Sequence, residues 1–464
     1  MHPRRAYYLF EAFYCLGVSV TFTSYVPYLQ ELGLSPARVS WITLWFWLAL
    51  LICELPTGIF ADRVSRVTSI RLGIGITTAS CLLYATAVGF LSATLYEILI
   101  GVGMSFISGA LNAWIKDALL VRGEDEKSYE KTVSTANFYG FAVMFFGGLG
   151  GGLLGIQHTR LVWVLAAALL LGAVVIAQKY MREERPIEHL ETFRDVGAHA
   201  MRPGASPLAR PLSLHALLED THVSVRILKE NRALLWGVIA SMCFGLILPF
   251  NHYWTPFFES HLGPLGRTLI WGPMCAVQGF AAFAIRWLPT QKDQKLGTLA
   301  LVTLATGVGL TIMGCSHTLV GIAVGLLLYE CGCGAFFPLM ETFIQERITS
   351  KYRATYSSLH SLLTRLGYVI ILGVVSFGIE GKEWDVALIA WLWAVSGVLL
   401  ALSGALLLAL RPAREPKEAA TTSATETETE AGMSDASSAL TESLELASSP
   451  EIQTTSTSAE PSLD

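Results

Sequence analysis

Five ionisable residues lie inside long apolar segments, where a charge is costly unless it faces a partner or water. They are Glu11, Glu54, Glu330, Glu341 and Arg365. A glutamate in such a place can carry a proton, whereas an arginine keeps its charge and needs a buried anion or a wet cavity. Glu330 and Glu341 bracket the depth of Arg365 and lie on nearly one face of a helix. We expect Arg365 to pair with one of these two glutamates.

Two roles for that pair remain open. It can open when the glutamate binds a proton or when a substrate binds, or it can be a static tie between the tenth and eleventh apolar segments. Glu11 and Glu54 are likewise either proton carriers or residues near the membrane interface that hydrogen-bond to nearby backbone or loops.

Further polar and aromatic residues within apolar segments are candidates for a substrate pathway. His252 can titrate near neutral pH, although a histidine at such a place is also explained by a simple hydrogen bond. The aromatic candidates are equally explained by packing or by anchoring at the membrane interface. The set comprises Tyr14, Asn112, Asn251, His252, Trp254, Gln278 and Tyr329.

The elements that position these residues follow from composition. The chain has 464 residues, of which 53% are hydrophobic and 15% are charged. A soluble chain carries about 25% charge, so soluble enzymes, disordered proteins and disulfide scaffolds are excluded. Segments of about 20 apolar residues predict membrane-spanning helices, so the predicted fold is an all-α polytopic membrane protein. The predicted spans are 6–30, 37–60, 69–90, 93–119, 132–156, 159–179, 232–256, 266–288, 297–315, 317–345, 355–379 and 386–410.

Basic residues predict the orientation of these twelve spans. With the N-terminus in the cytoplasm, 27 of the 32 lysines and arginines fall in cytoplasmic segments and 4 in outer loops, and Arg365 lies inside a span. Positive charge accumulates on the cytoplasmic side. We therefore expect a multi-pass protein of a plasma or inner membrane with both termini in the cytoplasm.

The chain divides into two similar halves. Asp117 and Glu346 fall at corresponding places, 229 residues apart, in a way that suggests a duplicated six-helix unit. The predicted organisation is a first half at 1–180, a central cytoplasmic loop at 181–231, a second half at 232–410 and a disordered acidic tail at 411–464. The end of the central loop reads either as an amphipathic surface helix or as an extension of the next span.

The sequence ELPTGIFADRVSR joins the second and third spans. Its pattern of Gly58, Asp62, Arg63 and Arg66 resembles the signature loop of the major facilitator superfamily, with Ser65 where that family usually has glycine. The resemblance extends over about 6–410 and implies a fold of twelve membrane helices in two pseudo-symmetric halves, with the first, fourth, seventh and tenth helices around a central cavity.

The same resemblance implies a gating latch in this loop. Arg66 needs a carboxylate, and Asp117 at the cytoplasmic end of the fourth span is the candidate. Glu346 and Arg353 are expected to form the counterpart in the second half. The alternative is that these basic residues only set the topology.

Glycines 147, 148, 150, 151 and 152 in the fifth span partly resemble a motif of drug-exporting antiporters. The alternative is a face of small residues for close helix packing. The motif slightly favours export in exchange for protons over uptake by proton symport.

The sequence contains no phosphate-binding loop and no cluster of nucleophilic or metal-binding residues, so neither an enzyme nor a cofactor nor a bound metal is predicted. The eight cysteines are read as small packing residues. We therefore expect a proton-coupled secondary transporter of a small organic solute, whose partners are that solute, protons and the lipid bilayer. A membrane receptor that keeps a transporter fold is the alternative from another class.

Overall fold

The computed structural model describes residues 1–183, 228, 231–285, 294–347 and 350–411, and every regular element in these ranges is helical. The predicted central loop (181–231) and acidic tail (411–464) therefore both lie mostly outside the described residues. The first half consists of α1 (Pro3–Phe22), α2 (Tyr25–Glu31), α3 (Pro36–Arg63), α4 (Arg66–Tyr84), α5 (Phe90–Leu120), α6 (Glu126–Gly155) and α7 (Thr159–Lys179).

The second half repeats this arrangement after the central loop. Its helices are α8 (Arg232–Phe244), a 3₁₀ turn (Gly245–Ile247), α9 (Leu248–Leu262), α10 (Gly266–Ala284), α11 (Lys295–Cys315), α12 (Leu319–Gln345), α13 (Ser350–Gly378) and α14 (Val386–Ala409). Each predicted span overlaps one of these helices or a consecutive pair of them, and residues 286–288 of the span 266–288 lie outside the described residues.

Ten helical segments of the described residues are long and apolar enough to cross a membrane, with α8 and α9 counted as one. The bent pair α1 and α2, which meet at 45°, raises the number to 11. The remaining predicted span corresponds to α10, whose hydropathy is reduced by Arg267 and Gln278. The chain is thus a multi-pass integral membrane protein.

Helix starts follow from capping side chains. Five side chains each accept a hydrogen bond from a backbone N–H in the first turn of the helix that follows. They belong to Ser35, Ser65, Asp125, Asn231 and Asp385. These bonds satisfy donors that a helix leaves free at its N-terminus. The chain therefore enters these spans at defined residues, which fixes how deep each polar side chain lies.

Packing within the first half recurs in the second. In the first half α1 packs on α6 and α7, α3 on α5, and α4 on both α5 and α7. In the second half the corresponding pairs are α8 with α13 and α14, α10 with α12, and α11 with α12 and α14. Each half buries its own cluster of apolar side chains. This repeated packing is the pseudo-symmetric pair of six-helix units that the sequence predicts.

Small residues allow the tightest of these contacts. A Cβ built on Gly73 of α4 would lie 2.6 Å from the carbonyl oxygen of Gly103 in α5. Helix association within a bilayer depends on such close approach because lipid provides no hydrophobic drive between helices. Replacing either glycine would force α4 and α5 apart.

Two helix pairs make the larger contacts between the halves, beside a smaller one of α2 with α9. One is α3 with α13, and the other is α6 with α10. These pairs occupy corresponding places in the repeat, since α3 and α10 are the second helices of their halves. The candidate site lies along the first of these interfaces and on the interior face of α1.

Candidate functional site

The two ends of the helix bundle differ in character. We call the basic end the one at which α1, α4, α6, α8, α11 and α13 begin, and the opposite end the one at which α4, α6, α11 and α13 finish. Arg4, Arg66 and Lys295 lie at the basic end. The halves meet differently at these two ends, which defines the site between them.

At the opposite end the halves are tied by hydrogen bonds. The Tyr253 hydroxyl donates to the Pro36 carbonyl at 3.0 Å and also contacts the Ser40 hydroxyl. The indole of Trp384 donates to the Leu34 carbonyl at 2.7 Å. Tyr253 is fully buried. This end of the interface is therefore closed to water.

From there α3 and α13 stay in contact toward the middle of the membrane. Trp41 lies against Phe377, with ring centroids 4.8 Å apart, and Trp47 lies against Tyr368 at 4.9 Å. Leu44 and Leu372 are buried between these aromatic pairs. The contact forms an apolar seam that excludes water between the halves.

An ion pair lies at the inner end of the seam. Arg365 Nη1 donates to Glu54 Oε2 at 2.6 Å, and the two side chains are 17% and 26% exposed. Gly58, one turn closer to the basic end, would place a Cβ in open space. The surface of α3 beside the pair thus opens toward the basic end.

This pair corrects the sequence prediction. Glu330 and Glu341 were the expected partners of Arg365, but the partner is Glu54 in the other half. The prediction was wrong because depth along α12 was matched to depth along α13, whereas α13 packs against α3. The pair therefore joins the two halves instead of tying two neighbours within one half.

Glu330 has another environment. It is 1% exposed, its Oε2 accepts a hydrogen bond from Gln278 Nε2 at 2.5 Å, and its Oε1 has no hydrogen-bond partner. Gln278 belongs to α10, so Glu330 lies buried between α10 and α12 within one half. Glu341 is exposed and lies one turn before the end of α12. The Glu330 carboxylate therefore lies away from the seam between the halves.

One face of α1 points into the interior. Gly17 contacts Leu170 of α7 on one side, and Ser19 lies against Gly147 of α6 on another. Leu9, which is 40% exposed, marks the outer face. The face opposite Leu9 carries Tyr7, Glu11 and Tyr14 at spacings of four and three residues.

The interior face of α1 is linked to α5. The buried Tyr7 hydroxyl donates to Asn112 Oδ1 at 3.1 Å, and Asn112 itself is exposed. Glu11 is half-buried and accepts a weak hydrogen bond from the Cys15 thiol, with Sγ and Oε2 3.6 Å apart. The ring of Tyr14 stacks on Phe10, with centroids 6.0 Å apart. The structure therefore brings Glu11, Tyr14 and Asn112 to one interior surface.

The candidate pathway residues of the seventh predicted span differ in their exposure. His252 is 7% exposed, and its Nδ1 lies 2.6 Å from the Leu248 carbonyl in its own helix. Trp254 stacks on Trp271. Asn251 is exposed and accepts a hydrogen bond from the Tyr329 hydroxyl at 3.2 Å. Of these residues, Asn251 is the one available to a solute.

The signature loop forms its predicted charge contact. Arg66 Nη1 forms an ion pair with Asp117 and donates to the Ala113 carbonyl at 2.9 Å. Arg66 Nε lies 3.8 Å from Asp62 Oδ1, and the Asp62 side chain is 57% exposed. The Arg63 side chain lies outside the described residues. These contacts tie the start of α4 to the end of α5 within the first half.

The second half repeats this pair with a residue that the sequence reading missed. Glu346 forms an ion pair with Lys295, at the start of α11. Arg66 and Lys295 are separated by 295 − 66 = 229 residues, the same spacing as Asp117 and Glu346, 346 − 117 = 229. That common spacing was the available signal. Arg353, the expected partner of Glu346, has its side chain outside the described residues.

The fifth-span glycines pack α6 between two neighbours. A Cβ on Gly151 would lie 1.8 Å from the Val20 carbonyl oxygen of α1. A Cβ on Gly148 would lie 2.2 Å from Trp271 Nε1 of α10. Trp271 Nε1 in turn donates to the Met144 and Phe145 carbonyls, each at 3.2 Å. The glycines thus allow the second contact between the halves.

Two repeated six-helix units around a polar interior define the class of secondary-transporter folds. The model of the Major Facilitator Superfamily matches residues 8–372. The chain belongs to this superfamily. It is accordingly a transporter that moves a solute across a membrane.

Solved structures agree on the fold. The chain is similar to the nucleoside transporter NupG (D323A mutant), with a TM-score of 0.68, 14% identity, and coverage of 87% of this chain and 99% of that one. It is also similar to a D-xylose-proton symporter, with a TM-score of 0.64, 14% identity, and coverage of 88% and 98%.

Proposed function

We propose that this protein is a proton-coupled secondary transporter that exports a small organic solute in exchange for protons. The halves rock against each other so that the interior opens alternately to each side of the membrane. The ion pair of Glu54 and Arg365 carries this proposal, since it joins the two halves at the inner end of their seam.

The pair offers a direct way to couple a proton to rocking. Glu54 attracts Arg365 only while it is ionised, because a protonated carboxyl carries no charge. Protonation therefore weakens the contact between α3 and α13 and favours separation of the halves at the opposite end. Loss of the proton restores the pair and the closed seam.

The described arrangement corresponds, in this proposal, to a state that faces the cytoplasm. The excess of basic residues supports an assignment of the basic end to the cytoplasmic side. The hydrogen bonds of Tyr253 and Trp384 close the opposite end. Charge pairs at the basic end, such as Arg4 with Glu124 and Arg66 with Asp117, each join helices of one half.

The two charge pairs spaced by 229 residues fit the role of latches. Each ties the start of one helix to the end of the next at the basic end. We propose that they keep these helix ends rigid, so that each half moves as a body. Asp62, exposed beside Arg66, is then positioned to engage the other half when the basic end closes.

Solute flux in proteoliposomes under an imposed pH gradient tests the proposal. The wild-type protein should accumulate solute against its gradient when protons flow the other way. Arg365→Ala should insert into the membrane normally and lose coupled flux, because the proton then no longer controls the seam.

The control is Lys382→Ala, which removes a basic residue from an exposed loop at the opposite end. This variant should keep wild-type flux. Full coupled flux in Arg365→Ala would contradict the role of the ion pair. Flux by the wild-type protein that does not depend on the pH gradient would contradict proton coupling.

A further inference from the structure

The interior of the described spans is acidic. Among the described residues, five that can carry a charge lie about two turns or more from the ends of their helices. They are Glu11, Glu54, Glu97, Glu330 and Arg365. Four of these are acids and one is a base. An interior of this composition offers a solute carboxylates and no unpaired base among the described residues, which favours cations over anions.

Glu11 stands apart from the other three acids. Glu54 is neutralised by Arg365. Glu97 and Glu330 are 8% and 1% exposed, so a solute does not reach them. Glu11 is half-buried on the interior face of α1, and within the described residues its hydrogen bond is the one from Cys15. Its carboxylate therefore lacks a described counter-ion and is within reach of a solute.

Aromatic residues flank this carboxylate along α1, and of these Tyr7 and Phe10 are buried whereas Tyr14 is partly exposed. Tyr7 and Tyr14 lie one turn on either side of Glu11 on the same face, and Phe10 stacks on Tyr14 at 6.0 Å between centroids. The faces of such rings attract cations, and the attraction grows when the cation is removed from water. A carboxylate beside the partly exposed ring of Tyr14 suits an organic cation better than a neutral sugar or an anion.

We propose that Glu11, Tyr14 and the neighbouring interior surface bind a monovalent organic cation, such as a lipophilic amine or a quaternary onium ion. The inference rests on the proposed transport function and assigns it a substrate class. A proton and the cation compete for the Glu11 carboxylate, so binding of one displaces the other. That competition is the exchange that proton-driven export requires.

Among the groups that surround it, Glu11 is the one that exchanges a proton with the solution. Tyr7, Tyr14 and Cys15 face it from α1, with Tyr129 of α6 and Cys81 of α4 beyond them. Tyrosine and cysteine are neutral at physiological pH in apolar surroundings. The charged residues of α7 lie at its two ends, and Asn112 of α5 does not titrate.

Equilibrium binding to the full chain in lipid nanodiscs tests this inference. The probes are radiolabelled tetraphenylphosphonium, ethidium and tetraethylammonium, each at neutral and at acidic pH. At least one cation should bind, and acid should weaken its binding. Glu11→Gln should weaken it at least about tenfold at neutral pH, equivalent to about 1.4 kcal/mol, and should remove the pH dependence.

Glu97→Gln is the matched control, because it makes the same change in an embedded acid that a solute does not reach. It should bind the cation as the wild type does. Binding in Glu11→Gln equal to wild type would overturn the inference, as would no binding of any of the three cations. A neutral or anionic solute that moves in the flux assay while no cation binds would overturn the substrate class and leave the transport proposal standing.

Discussion

At the scale of single residues, the pair of Glu54 and Arg365 is asymmetric. Arginine stays charged at every accessible pH, whereas glutamate becomes neutral by taking up a proton. Removing Glu54 therefore leaves an uncompensated charge inside a span, but removing Arg365 leaves a group that can neutralise itself. The two losses should have unequal effects on the folded protein.

We predict that Glu54→Gln lowers the free energy of unfolding by about 1–3 kcal/mol, below the range for fully buried pairs because both side chains are partly exposed. Arg365→Gln should cost less, and the double variant should recover most of the loss of Glu54→Gln. Thermal unfolding of the purified variants at neutral pH measures the order. Equal losses in the two single variants would contradict a functional asymmetry of the pair.

Pairs of charged residues could be predicted from the sequence at the ends of neighbouring helices but not inside the membrane. Arg66 and Asp117 could be paired because the signature loop identifies Arg66, and Asp117 lies at the cytoplasmic end of the fourth span. Glu54 could not be assigned to Arg365, since hydropathy gives a residue's depth in its own helix but does not say which helices pack together. Lys295 was recoverable from the 229-residue spacing, which required treating the halves as copies.

At the scale of elements, the contact of α6 with α10 depends on missing side chains. Gly148 and Gly152 lie where a Cβ would come within 2.2 Å of Trp271 and 2.4 Å of Thr268, respectively. Gly150, on the same helix, would place a Cβ in open space. The helix thus supplies both the test positions and a matched control.

We predict that Gly148→Ala and Gly152→Ala hold α6 away from α10 and so hinder closure of the opposite end. Transport should fall several-fold, and a cysteine placed at Leu265 should react faster with a water-soluble maleimide. Gly150→Ala should leave both rates near those of the wild type. If all three variants behaved alike, the close approach of α6 and α10 would not be needed for closure.

The helices themselves were predictable from the chain. Apolar length sets each span, and capping residues such as Ser35 and Asp385 set where it begins. The bend between α1 and α2 was not foreseen, because a single apolar segment covers both helices. The marginal hydropathy of α10 reflects Arg267, whose buried guanidinium pairs with Glu259 at 2.7 Å.

At the scale of the whole molecule, the two larger helix contacts between the halves form a pair related by the internal repeat. The seam of α3 with α13 and the glycine contact of α6 with α10 both close the opposite end. Rocking requires both contacts to loosen together while the packing inside each half persists. Each half keeps its own apolar core, which is the physical basis for movement as two bodies.

The central claim is alternating access, and distances across the two ends test it most directly. Spin labels at Val64 and Leu410 report on the basic end, and labels at Glu31 and Leu265 report on the opposite end, after replacement of the eight native cysteines. Pulsed dipolar spectroscopy in nanodiscs then gives each distance distribution at neutral and acidic pH.

We predict that acid lengthens the distance at the opposite end and shortens the one at the basic end, and that Glu54→Gln mimics acid at neutral pH. Asp62→Asn should shift both distributions toward an open basic end if the signature loop acts as a latch. Distances that changed in the same direction at both ends, or that did not change with pH, would contradict the account.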